Sequence, residues 1–172
     1  MACCLPRSAL LPWMALTGLL AACSPSSTPL ADGTHADWSH WDGRPIVLNY
    51  WAEWCAPCRH EIPELNALHR ERAETGTVIL GVNYDGITGH RLTSLVERMH
   101  IEFPVLVEDP IHRWDYARPE VLPTTVIVGS DGTVQEILVG PQTRDSIRAA
   151  LQTDAPDALR PGPPPDVPGE RV

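Results

Sequence analysis

Trp51-Ala52-Glu53-Trp54-Cys55-Ala56-Pro57-Cys58 stands between a run that reads as a buried strand, Ile46-Val47-Leu48-Asn49-Tyr50-Trp51, and a segment with helical periodicity. Two cysteines separated by two residues at the mouth of a helix read as a redox pair. After Cys58, Ile62, Leu65, Leu68 and His69 recur at helical spacing, with Glu61, Glu64, Arg70 and Arg72 assigned to other faces. A helix is therefore expected as far as Thr75-Gly76, kinked at Pro63.

Working outward, Trp38 and Trp41 are expected to pack over an edge of the core, and Asp42-Gly43-Arg44-Pro45 supplies turn chemistry before the first strand. Val78-Ile79-Leu80-Gly81-Val82 reads as a second strand, and Leu92, Leu95, Val96 and Met99 as one face of a second helix. Val105-Leu106-Val107 reads as a short strand and Trp114-Asp115-Tyr116 as a brief helical turn. Thr125–Val128 and Thr133–Val139, joined through Ser130-Asp131-Gly132, form a hairpin, and Ile147, Ala150 and Leu151 mark a last helix. Strands alternating with helices and ending in a hairpin predict an α/β fold, a central mixed sheet flanked by helices.

The totals narrow the chemistry. A chain of 172 residues with 43% hydrophobic content has room for one domain and its tails. A net charge of -9 argues against nucleic acid and against electrostatic binding to anionic lipid. Every basic residue is arginine, which excludes a lysine base or Schiff base.

The 5 cysteines sort by position. Cys3 and Cys4 fall in an N-terminal segment, residues 1–22, that carries Arg7 and an apolar run from Ala9 to Leu20 too short to span a bilayer comfortably. It reads as a signal peptide, and Leu20-Ala21-Ala22-Cys23 resembles the bacterial lipoprotein cleavage box, which would place a lipid on Cys23. Residues 23–37 are expected as a flexible linker with a reach of roughly 20 Å, residues 38–152 as the domain, and residues 153–172 as a proline-rich disordered tail. Only Cys55 and Cys58 remain for the domain, so a single working pair is the simpler account than a disulfide scaffold.

Asn49 through Arg59, then Glu61, Pro63 and Leu122-Pro123-Thr124-Thr125, resemble the membrane-anchored thioredoxin-like proteins of the TlpA and ResA type, over about Trp38 to Gln152. The resemblance implies the thioredoxin fold and exchange of dithiols for disulfides outside the cytoplasm. Gly81-Val82-Asn83-Tyr84-Asp85 and Val139-Gly140-Pro141 are similar to the cytochrome c maturation branch, which suggests apocytochrome c as a substrate. It further implies a cis Pro123 against the cysteine pair, with Leu122 and Thr124 lining a substrate groove.

In this reading Cys55 is the nucleophile, because a helix N-terminus stabilises its thiolate; a fall in pKa from ~8.5 to about 7 corresponds to roughly 2 kcal/mol. Cys58, one turn on, resolves the mixed disulfide. Trp54 and Pro57 border the pair on the substrate side. Asn49 occupies the place where cytoplasmic thioredoxins carry a buried acid; the resemblance to ResA-like proteins, which carry an acid in the loop after the second strand, implies Asp85 as the candidate proton acceptor, its alternative being a turn residue before Gly86. Arg59, His60 and Glu61 sit in the first helical turn, where they could shift the pKa of Cys55; the default reading for all three is solvated helix positions.

No cofactor or metal is expected, since a zinc site needs two further ligands and the histidines lack ligand spacing. The function expected is a periplasm-facing, lipid-anchored thiol:disulfide oxidoreductase, a monomer that reduces particular protein disulfides with electrons from a membrane dithiol carrier. The competing reading is a copper-binding chaperone that uses the same two thiolates.

Overall fold

The computed structural model describes residues 27–152. The readings for residues 1–22, Cys23 and the segment 153–172 lie outside the described residues.

The core is a five-stranded sheet in the order β5-β4-β3-β6-β7. β3 (Ile46–Trp51) lies at its centre, parallel to β4 (Val78–Asn83) and antiparallel to β6 (Thr124–Val128). β5 (Val105–Leu106) continues the parallel side, and β7 (Val134–Val139) forms the antiparallel hairpin with β6. The links β3 to β4 and β4 to β5 run through α1 (Ala56–Arg70) with the short α2 (Arg72–Thr75), and through α3 (Gly89–Arg98). α4 (Arg144–Gln152) closes the described chain. Parallel neighbours require such crossovers, which is why the helical periodicities fall between those strands.

All six residues of β3 are buried, as suits a strand covered on both faces. Alternation then sorts them. Val47 and Trp51 pack with Ile62, Leu65 and Leu68 of α1, Leu92 and Leu95 of α3, and Ile147 of α4. Ile46, Leu48 and Tyr50 join a second cluster under Trp38, with Trp41, Trp114 and Tyr116 at its margin. The Tyr50 hydroxyl donates to Asp109 over 2.7 Å and lies 2.6 Å from the Tyr116 hydroxyl, which ties the 109–116 connection to the sheet.

Three sequence expectations change. Residues 27–37 are not a linker: β1 (Ser27–Pro29) and β2 (His35–Asp37) pair antiparallel. Thr28 and Ala31 are buried, Ala31 N–H donates to the Val105 carbonyl over 2.9 Å, and Val107 N–H donates to Pro29 over 3.1 Å. This hairpin is held against β5 by backbone bonds, which leave no hydrophobic period to read. The brief helical turn falls at Ile111–Arg113, while Trp114 itself is extended and sets its ring edge-on to Trp38 at 5.8 Å, as Trp41 does at 4.9 Å. The first helix ends at Arg70 and restarts as α2, so it is shorter than the run to Gly76.

Candidate active site

β3 delivers the chain to Cys55, which caps α1 in extended conformation, φ -80° and ψ 97°. Its Sγ accepts the Cys58 N–H over 3.2 Å, so a sulfur occupies the position where an N-cap oxygen usually sits. An anionic sulfur there gains both that bond and the positive end of the helix dipole. Ala56 and Pro57 fill the first helical positions, where proline's missing N–H costs no hydrogen bond. Cys55 and Cys58 are joined as a disulfide, and both residues are buried, Cys55 at 4% exposure and Cys58 at 1%.

The Leu122-Pro123 peptide bond is cis. Tyr50 pairs with Thr124, so Pro123 stands at the end of β6 beside the end of β3 from which the cysteine loop departs. Trp54 is exposed, and its indole N–H donates to both carboxylate oxygens of Asp85 over 3.1 and 3.2 Å. Pro57 is exposed, and Leu122 is half-buried, packed against both core clusters. Thr124 is buried and donates its hydroxyl to the Val121 carbonyl over 2.8 Å, which braces the turn before the proline instead of offering a surface.

Glu61 is the group that sequence reading placed wrongly. It is 1% exposed, three residues beyond Cys58 on the inner face of α1. Asn49 donates its amide to Oε2 over 3.2 Å, Thr125 its hydroxyl to Oε1 over 3.3 Å, and Gln142 its backbone N–H to Oε1 over 3.2 Å. Burial pushes the carboxyl up to about 7, against the lowering effect of the hydrogen bonds from Gln142, Asn49 and Thr125. The signal was present: Glu61 lies four residues before Leu65 and seven before Leu68, on the same stripe as Cys58. Its charge masked that position.

The site thus contains a sulfur pair at a helix N-terminus, a neighbouring buried carboxyl that titrates near neutrality, and an open apolar rim. Among the described residues no group of three or more His, Cys, Asp or Glu side chains converges to hold a metal ion. A dithiol and disulfide that interconvert in this setting on a thioredoxin fold define a thiol-disulfide oxidoreductase. Residues 23–137 match the model of the AhpC/TSA family, and the chain belongs to that family.

Among curated relatives it is 30% identical over 118 residues to the thiol-disulfide oxidoreductase ResA of Geobacillus kaustophilus, covering 69% of this chain and 67% of that protein. It is 31% identical over 114 residues to the thioredoxin-like protein YneN of Bacillus subtilis, covering 65% and 66%. The match therefore spans about two thirds of each relative. Among solved structures, a thiol:disulfide interchange protein of the thioredoxin family from Chlorobium tepidum shares the fold with a TM-score of 0.61 at 23% identity, over 74% of this chain and 91% of that one.

Proposed function

We propose that the protein reduces particular protein disulfides outside the cytoplasm, anchored to a membrane by lipid on Cys23 and recharged by a membrane dithiol carrier. The observation that carries the chemistry is the Cys55–Cys58 disulfide at the start of α1 with buried Glu61 one turn beyond. In the reduced protein the Cys55 thiolate attacks one sulfur of the substrate disulfide, and the other substrate sulfur leaves and takes up a proton. Cys58 then loses its proton to Glu61 and attacks Cys55 Sγ. The second substrate thiol departs, and the protein is left oxidised. Two electrons pass from the Cys55/Cys58 pair to the substrate disulfide, and Glu61 carries one proton per turnover.

Asp85 acts in this scheme on Trp54, holding the indole beside Cys55, while Glu61 takes the role of proton acceptor. Trp54, Pro57 and Leu122 form the rim that receives the substrate chain, with Pro123 buried behind Leu122 and its carbonyl bonded to Gly140 N–H. Apocytochrome c is a substrate consistent with the motif resemblance. The lipid anchor rests on Leu20-Ala21-Ala22-Cys23, and among the described residues no helix is long and apolar enough to cross a membrane.

Reduction of a model protein disulfide with dithiothreitol as donor tests this function: the intact protein is active and Cys55→Ser inactive. The couple's potential sets the direction. A value near about -270 mV supports a reductase, and one near about -120 mV an oxidant.

A further inference from the structure

Among the described residues the exposed large apolar side chains are Trp54, Val121, Ile137 and Val139, at 66%, 55%, 45% and 62%. They are scattered along the chain, and the sheet register sets Val139 and Ile137 of β7 beside the strand that follows Val121 and the cis proline. Trp54 precedes Cys55, and Val121 lies two residues before Pro123. Val139 pairs with Thr124, the residue after the cis proline, and Gly140 N–H donates to the Pro123 carbonyl over 2.9 Å. Ile137 pairs with Val126. Paired residues share a face, so Val139 and Ile137 stand beside Thr124 and Val126, one strand further out. Val126 and Val128 belong to the cluster under Trp38, whereas Ile137 and Val139 lie beyond that cover. Leu138, pointing the other way, is packed against the helix-side core.

β7 is also the last strand of the sheet, and among the described residues no strand pairs with its outer edge. Its sequence, Val134-Gln135-Glu136-Ile137-Leu138-Val139, has no proline, and its one charge, Glu136, lies opposite Ile127 next to the register irregularity at Ile127/Val128, which leaves the Ile137–Val139 end regular. An apolar face and an edge with no strand partner among the described residues, on a strand whose end is bonded to the cis proline through Gly140 N–H, fit an extended polypeptide.

We propose that the outer edge of β7 is the docking strand for the polypeptide that carries the disulfide. An extended segment pairs along it as a sixth strand and sets alternate apolar side chains against Val139 and Ile137. This rests on the thiol:disulfide reading above and adds what that reading leaves open, the surface on which the substrate chain docks. Strands lie about 4.8 Å apart, so the new strand is about 14 Å from β3, from whose end the cysteine loop departs. About four extended residues cover that distance. The docking segment therefore begins about four residues from the substrate cysteine. A small disulfide is too short to reach it.

The test uses the full chain and two substrates, a small aromatic disulfide and a peptide disulfide with an arm of alternating valine and serine. In the Ile137→Thr, Val139→Thr double variant, kcat/KM for the peptide falls about tenfold while that for the small disulfide is unchanged. Methylating alternate backbone nitrogens of the arm gives a similar loss on the unaltered protein, independently of how the variant folds. Equal loss on both substrates, or no loss with the methylated arm, overturns the docking strand. So does an unaltered protein that sediments as a dimer which the double variant breaks, because the edge then belongs to a second copy. If the unaltered protein turns over the small disulfide but shows no preference for the peptide, docking fails and the chemistry stands. If it turns over neither, the thiol:disulfide reading fails and docking falls with it.

Discussion

The side-chain amide of Asn49 donates to the carboxylate of Glu61 over 3.2 Å, and both residues are 1% exposed. A strand residue six positions before Cys55 and a helix residue three positions after Cys58 thus meet in the buried layer between β3 and α1. The acid comes from the helix and the amide from the strand.

Glu61 makes stability depend on pH in a definite direction. Its folded pKa, about 7, lies above the ordinary 4.5, so the folded state binds this proton more tightly than the unfolded chain does. The stabilisation is complete below about pH 4.5 and is lost as pH rises through about 7. The loss amounts to roughly 3 kcal/mol. Denaturant unfolding of the oxidised protein between pH 5 and 8 should show this decline relative to Glu61→Gln, whose neutral amide has no proton to lose. A constant difference between the two proteins across that range would contradict a carboxyl that titrates in the fold.

The same substitution separates two candidate proton acceptors kinetically. Glu61→Gln should slow resolution of the mixed disulfide by about a hundredfold and leave formation of the Cys55–substrate bond nearly intact. Asp85→Asn keeps the shape of the Trp54 contact while weakening it, so a change of a few-fold is expected. Stopped-flow measurement of both steps decides the matter; a hundredfold defect in Asp85→Asn with Glu61→Gln unaffected would reverse the assignment.

Gly81 on β4 leaves no space for a side chain. A Cβ there would lie 3.0 Å from Phe103 and Val105 side-chain atoms and 3.1 Å from Trp51 Nε1. These neighbours belong to the buried core, so Gly81→Ala should destabilise by about 1–3 kcal/mol through overpacking. Thermal unfolding measures it, and an unchanged Tm would show that the core gives way at no cost.

The N-terminal hairpin should contribute to the domain. Truncation before Trp38 removes the Ala31 to Val105 and Val107 to Pro29 backbone bonds and uncovers the β5 edge. The truncated chain is expected to unfold at lower denaturant, with hydrogen exchange accelerated at Ile101–Val107. Equal stability of the two chains would mean that residues 27–37 behave as a tether.

What could be read from sequence follows a physical divide. β3, β4, α1 and the β6–β7 hairpin carry strong periodicity or turn chemistry, and the cysteine pair and Pro123 sit at junctions those elements define. β1 and β2 were missed because backbone pairing to β5 holds them, and pairing of that kind has no side-chain period. Glu61 was read as solvated because a charged residue on an apolar stripe is usually a surface residue. The amide of Asn49, the hydroxyl of Thr125 and the backbone of Gln142 come from three other parts of the chain, and only their convergence makes burial tolerable. The Trp54–Asp85 bond depends likewise on two loops that neither local pattern connects.

The most direct test of thiol exchange through Cys55 is to capture its covalent intermediate. Reduced Cys58→Ser protein mixed with a protein disulfide should accumulate a stoichiometric adduct, released by dithiothreitol and mapped to Cys55 by mass spectrometry. Cys55→Ser should form none. An adduct mapped to Cys58, or disulfide reduction that survives in Cys55→Ser, would contradict the mechanism.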